Sequence, residues 1–225
     1  MRINIAIDGP SAAGKSTIAK ELCRQLGYVH LDTGAMYRCT ALKAMRLGID
    51  MNDEEHICRM LADTEIVLKP DGSVILDGED VSRAIREDEV SLRASDVSRH
   101  QKVREDLVAR QRKMAEAKGF IMDGRDIGTV VLPDAEVKIY MTASARARAI
   151  RRYKQNLIEG IATSDIETIE KEIAARDEQD MNRVHSPLRK ADDAIVLDTS
   201  DLSIEETVDK MKEIVQPFLD KEETS

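Results

Sequence analysis

The residues with the plainest chemical purpose lie near the start of the chain. Gly9, Pro10, Ser11, Ala12, Ala13, Gly14, Lys15 and Ser16 follow the pattern GxxxxGK[ST]. The two glycines let the backbone turn its N–H groups towards one point. A helix opening there adds the partial positive charge of its N-terminus. Lys15 brings a full charge to the β- and γ-phosphates of a nucleoside triphosphate, and the Ser16 hydroxyl can ligate Mg2+. The pattern is informative only between a strand and a helix. Both are legible here: an aliphatic run at 3–7 precedes it, and a helical pattern over 15–26 follows, with Ile18, Leu22 and Leu26 on one face and Gly27 as the stop. The loop by itself does not separate a kinase from a GTPase or a motor.

Transfer to a second anion needs cationic groups for the acceptor, and three places offer them. Asp32, Thr33 and Arg38 follow the second strand run, at the sheet end where ligands bind in open α/β folds. A helix cap with a solvated arginine fits the same residues. Asp123, Gly124, Arg125 and Asp126 follow the third run. That position favours a binding turn over an ordinary Asp-Gly turn. Further on, Ser164 and Glu167 have capping-box spacing, and Ile166, Ile169 and Ile173 mark an inner stripe. The same line continues through Arg176, Asp180 and Arg183. Charge on an inward line needs partners, which a phosphate and a ribose would supply. The alternative is a helix end that leaves the body, with Arg176 and Asp180 paired across one turn. Arg146, Arg148, Arg151 and Arg152 cluster on another helical stretch. Together they can neutralise phosphoryl charge, but each alone reads as solvated.

These side chains must be carried by a regular frame. Five aliphatic runs, at 3–7, 28–31, 120–122, 137–141 and 195–197, are continuous rather than alternating. Strands covered on both faces have that character, and helical stretches separate them. The pattern predicts an α/β doubly wound, five-stranded parallel sheet. A long helix is expected over 99–118, stopped by Gly119. The last helix opens on a Ser203–Glu206 capping box, with Ile204, Val208, Met211 and Val215 as its inner stripe. Residues 65–81 hold two strand runs around Pro70-Asp71-Gly72, then a second Asp-Gly turn, and predict a small antiparallel insert. Residues 144–190 are helical, charged and arginine-rich, and read as a mobile cover, while the polar tail 221–225 is expected to fray.

Composition narrows the class. The net charge is −9, aromatics are 3% and Trp is absent, so neither a long polyanion nor stacked single strands are expected partners. The three cysteines, Cys23, Cys39 and Cys58, have no CxxC spacing and read as reduced thiols in a cytoplasmic protein. No run approaches the length of a membrane span, and residues 1–7 run into a glycine turn rather than forming a signal peptide. The four histidines, His30, His56, His100 and His185, lack metal-ligand spacing and read as structural.

The sequence resembles the bacterial cytidylate kinase family over about residues 3–216, through IDGPSAAGKST (7–17), LDTGAMYR (31–38), ILDGEDVSRAIR (75–86), VSRHQKVRE (97–105), DGRDIGTVVLPDAEVKIY (123–140), ARDEQDMNR (175–183) and DAIVLDTSDLSIEE (193–206). The resemblance implies one domain, with a core of 1–33, 87–143 and 191–225, a nucleoside-monophosphate region at 34–86 and a helical lid at 144–190. It implies ATP and CMP or dCMP as substrates, Mg2+ with ATP, and a monomer without nucleic-acid or membrane partners. ATP would lie on Gly9 through Thr17, with Ser16 at the metal and Lys15, Arg125 and Arg183 catalytic. Arg38, Arg125 and Arg183 would hold the CMP phosphate, and Arg176 and Asp180 the ribose. Thr33, Ser95, Arg104 and Asp126 would read the cytosine. Glycine often stands in the family where Ser16 stands here, and serine where Thr33 stands. Asp32 and Asp123 are candidates to hold magnesium waters. The competing readings are a kinase for UMP, AMP or a non-nucleotide acid, a regulatory nucleotide switch, and a nucleic-acid-dependent ATPase. The sequence has no NKxD guanine motif.

Overall fold

Five aliphatic runs become the strands of one parallel sheet in the computed structural model, which describes residues 2–160 and 163–223. In chain order the elements begin β1 (Ile5–Asp8), α1 (Lys15–Leu26), β2 (Val29–Asp32), α2 (Thr33–Arg46) and α3 (Glu54–Ala62). Then come β3 (Ile66–Leu68), β4 (Val74–Leu76), β5 (Glu79–Asp80), a 3-10 turn at Ala84–Arg86, α4 (Asp88–Val97) and α5 (Gln101–Ala115). The chain finishes with β6 (Phe120–Gly124), a π-helical turn at Ile127–Val131, β7 (Val137–Thr142), α6 (Ala145–Glu159), α7 (Ile166–Asn182), β8 (Ile195–Asp198) and α8 (Ile204–Glu223). The sheet order is β2-β6-β1-β7-β8, and β3-β4-β5 form a separate antiparallel sheet. The chain divides into two units, Met1–Tyr28 with Lys118–Ser225, and Val29–Ala117.

In the first unit β1 is central and wholly buried, which its unbroken aliphatic character requires. Ile5 is level with Ile121 on β6 and Val137 on β7, and Asp8 with Gly124 and Tyr140. The loop after β1 and the turn after β6 therefore start from one edge of the sheet. Ile18, Leu22, Val208 and Met211 close the core over Ile5, Ile7 and Ile139. Strand β8 departs from the expected cover on both faces: Leu197 is buried, while Ile195 and Val196 are 41% and 54% exposed. As the edge strand it pairs, among the described residues, only with β7, so its aliphatic run reflects β-propensity more than burial.

Helix boundaries follow local chemistry. Gly27 ends α1 in a left-handed cap with φ 66°. The Ser203–Glu206 box forms in both directions, at 3.1 Å to the Ser203 hydroxyl and 2.8 Å to the Glu206 carboxylate. Ile204 is nevertheless 59% exposed, so the inner stripe engages the core only from Val208 onwards. The helix expected over 99–118 runs from Gln101 to Ala115, and Lys118 and Gly119, both at positive φ, link it to β6. The cap of α7 is Asp165 rather than Ser164: its carboxylate accepts Thr168 N–H at 2.9 Å and the Thr168 hydroxyl at 3.0 Å. A charged acceptor at a helix N-terminus prevails over the neighbouring hydroxyl. Within 144–190, residues 145–159 and 166–182 are helical as read while 183–190 are irregular, and Ala149 of α6 packs on Ile169 and Ile173 of α7, with Ala12 of the glycine loop against them. Within the tail expected to fray, 221–223 continue α8, while 224 and 225 lie outside the described residues, as do 161 and 162.

In the second unit α2 to α5 bury Met36, Cys39, Ile57, Leu61, Val97 and Leu107 together with Ile66 and Leu76 of the small sheet. The insert folds as read: Ile66 is opposite Leu76, and the Lys69 and Ser73 backbones close the Pro70 turn at 2.9 Å. Cys23, Cys39 and Cys58 are free thiols, and burial pushes Cys23 and Cys39 up to about 12.

The stripe on α8 yields a stability test. Met211→Ala is expected to cost about 2–5 kcal/mol, because Met211 is fully buried, and Ile204→Ala less than about 1 kcal/mol. Urea unfolding of both variants checks the difference; equal losses would contradict the packing of this helix.

Candidate active site

The glycine loop is shaped by contacts no other residue tolerates. Gly9 has φ 152°, and a Cβ there would collide with the Met141 carbonyl of β7. Gly14, at φ 91°, turns the chain into α1. That helix has no side-chain cap and no acid in its first turn, so the positive end of its dipole is left for an anion. Lys15 is buried, and its Nζ donates to the carbonyls of Gly9 and Pro10, each at 2.8 Å. Burial first, and Arg125 nearby second, pull its pKa down to about 7, against the opposing pull of Asp123 and Asp8. The Ser16 hydroxyl donates to Asp123 Oδ2 at 2.7 Å. The expected phosphate loop is therefore present, with Lys15, Ser16 and Asp123 in one corner.

Asp8 belongs to this corner, and it was not among the residues expected from the sequence. It is buried at the end of β1 and accepts the N–H groups of Ile127 and Gly128, each at 2.7 Å. Burial pushes its pKa up to about 6 in spite of those two bonds. The signal was available: Asp8 precedes the glycine loop as Asp123 precedes Gly124, at a strand's C-terminal end.

The inward line of α7 finds its partners in the same unit. Arg125 Nε donates to Asp180 Oδ2 at 2.7 Å. Arg183 lies 3.8 Å from both Asp180 and Asp126, and its Nε donates to the Ser186 carbonyl at 2.5 Å. Arg176 is half-buried one turn before Asp180. Burial would raise the Asp180 carboxyl, but Arg125, then Arg183 and Arg176, hold it below the usual carboxylate range. Arg125 in turn is lifted above its ordinary value by Asp180, although burial opposes this. The helix end does not leave the body: the side chains of Arg183 and Asp180 are only 6% and 10% exposed.

The arginines of α6 divide. Arg146 is exposed and pairs with Glu170 at 3.2 Å, as a solvated residue does. Arg148 is not solvated, and Arg151 is half-buried and bonded. Arg148 is buried and bonded to Asp177 and to the carbonyls of Ala143 and Ser11; Arg151 donates to Thr199 Oγ1 at 3.0 Å. Asp177 lies on the same stripe, four residues after Ile173 and three before Asp180, where Arg176 was read in its place.

In the second unit Asp32 caps α2, accepting Ala35 N–H at 3.0 Å, and its other oxygen accepts from Arg38 at 2.7 Å. The cap is real, but Arg38 is paired rather than solvated. Burial would raise Asp32; Arg38 and His30 hold it at about 2. Both its oxygens are thus engaged within the unit. Thr33, Ser95 and Arg104 are buried on α2, α4 and α5. Arg104 donates to the Ser98 carbonyl at 3.3 Å and stands 5.3 Å from the Tyr37 ring centroid. His100 bonds the Met51 carbonyl and His56 bonds Asp53, both structural contacts.

Among the described residues no group of three or more His, Cys, Asp or Glu could hold a metal, and no helix is long and apolar enough to cross a membrane. The Ser16–Asp123 pair beside Lys15 offers hard oxygen ligands. That fits Mg2+, which keeps waters and takes further ligands from phosphates.

A family model described as cytidylate kinase matches residues 5–217. A cytidylate kinase from Geobacillus kaustophilus is 52% identical over 217 residues, covering 95% of this chain and 96% of the relative. One from Caldicellulosiruptor bescii is 52% identical over 216 residues, covering 95% of each. Among solved structures, a shikimate kinase from Bacteroides thetaiotaomicron aligns with TM-score 0.51 at 11% identity, over 96% of this chain and 99% of that one, a likeness of fold alone.

The two carboxylates should titrate apart. Asp8 is expected to titrate near pH 6 and Asp180 below the usual carboxylate range in carboxyl-carbon NMR of the folded protein. A raised carboxyl favours the fold most below its unfolded value and loses that contribution as pH rises through about 6. A midpoint for Asp8 near 4 would contradict the burial described.

Proposed function

The chain belongs to the cytidylate kinase family, and from that premise we propose that it transfers the γ-phosphoryl group of ATP to CMP and to dCMP, giving ADP and CDP or dCDP. The observation that carries the reading is the placement of a phosphate loop and a second arginine cluster in one unit, both at the ends of adjacent strands β1 and β6. A regulatory switch has no need of the second cluster.

Residues 9–17 are assigned to ATP. Ser16 would hold Mg2+, which neutralises phosphate charge when bound. Lys15 places its ammonium where the β- and γ-phosphates are cradled. The acceptor oxygen is already anionic, so no strong general base is required. Catalysis is positioning and charge neutralisation by Lys15, Arg125 and Arg183. Arg125 and Arg183 are braced by Asp180 and Asp126 before any substrate arrives, which lowers the cost of ordering them.

Two sets of residues are assigned to CMP. In the first unit Arg125 and Arg183 take the phosphate, Arg176 and Asp180 the ribose, and Asp126 the base. In the second unit Arg38 takes the phosphate, and Thr33, Ser95 and Arg104 read the cytosine. Burial of Thr33, Ser95 and Arg104 supports this, because desolvated polar groups discriminate best between bases. Residues 34–86 are assigned as the monophosphate region and 144–190 as a lid that excludes water. The free thiols support a cytoplasmic place.

The test is ADP release with ATP, Mg2+ and each of CMP, dCMP, UMP, AMP and GMP. CMP and dCMP are expected to dominate; equal rates with AMP would sink the assignment of the base-reading residues. Arg183→Gln is expected to lower kcat/KM for CMP by about 100-fold or more. A change below about threefold would show that Arg183 only braces Asp180.

A further inference from the structure

A buried ion pair ties the phosphate loop to both helices of residues 144–190, and no role above uses it. Asp177 Oδ1 on α7 accepts the Ser11 N–H at 2.9 Å. Arg148 Nη1 on α6 donates to the Ser11 carbonyl at 2.9 Å and also to Asp177 Oδ2. Its Nε donates to the Ala143 carbonyl at 2.9 Å. Ser11, Asp177 and Arg148 are 5%, 6% and 7% exposed.

The two peptide groups that flank Ser11 are thus held from outside the loop, one by an anion and one by a cation. The next residue, Ala12, is held at φ 57°, which a non-glycine residue adopts only at a cost. Ala12 also packs against Ala149, Ile169 and Ile173 of the same two helices. Such strain persists where the surroundings over-determine it. As a stability device the pair is poor, since desolvating two charges offsets most of their attraction. Its location at a strained turn of the phosphate loop accounts for it better.

We infer that Asp177 and Arg148 are positioning residues for the phosphoryl donor: they hold the Ser11–Ala12 turn in the shape that lets the remaining loop N–H groups converge on the phosphates of ATP. Helix α7 thereby serves two clusters. It gives Asp177 to the loop and, three residues on and on the same side, Asp180 to Arg125. This inference rests on the assignment of the loop to ATP.

The experiment removes both charges together, because Asp177→Asn alone would strand a buried arginine. In Asp177→Leu/Arg148→Met no unpaired charge remains. Calorimetric affinity for MgATP is expected to fall about tenfold or more, while KM for CMP stays within about twofold. Thermal melting establishes that the variant is folded. If it is not, Arg148→Lys keeps the charge but lacks the planar fork, and about a threefold to tenfold loss of ATP affinity with unchanged KM for CMP is expected. ATP affinity within twofold of the parent chain in a folded variant overturns the inference. So does an equal loss for both substrates, which marks a structural pair. Binding of ATP is measured without turnover, so a parent chain that binds ATP but phosphorylates no CMP defeats the functional assignment and leaves this inference standing.

Discussion

Burying cationic groups without letting them lose their charge is the constraint on which the first unit depends. Phosphates are best neutralised where water is excluded, yet exclusion of water removes the hydration that keeps a cation charged. Lys15 shows the cost, with its pKa brought down to about 7 by burial and by Arg125. Arg125 shows the remedy, since Asp180 lies at 2.7 Å and lifts it instead. Arg148 is paired with Asp177, and Arg183 lies 3.8 Å from both Asp126 and Asp180. The acids of this region therefore act largely through the cations they hold.

The sheet serves that arrangement. Level ends of β1 and β6 bring Asp8, the glycine loop and the Arg125 turn to one edge, and Asp8 fixes the turn through two backbone N–H groups. β7 approaches closely enough that only glycine fits at position 9. Helices α6 and α7 bring the remaining arginines. Their apolar contact at Ala149, Ile169 and Ile173 is small, so charge pairs carry much of their registration on the loop.

The frame was legible because its signals are local and repeated. Continuous aliphatic runs, Gly27 after α1 and the Ser203–Glu206 box each state an element in a few residues. The inward charge on α7 was legible from period alone, through Asp180 and Arg183. What escaped depends on distant partners. Arg148 looks like any solvated arginine until Ser11 and Asp177, far away in sequence, are placed beside it. Asp8 reads as the end of a strand until the backbone of residues 127 and 128 folds over it. Ile204, Ile195 and Val196 mislead in the other direction: their periodicity is right, but they sit where an element has outrun its cover.

The proposed function requires the phosphoryl group to go to a nucleoside monophosphate and not to water. Phosphorus NMR of the protein with MgATP and CMP tests it most directly, because it identifies both products in one sample. CDP and ADP are expected to accumulate in equal amounts, without inorganic phosphate beyond the trace that slow hydrolysis leaves. ADP and inorganic phosphate accumulating together, with CMP unchanged, would contradict it.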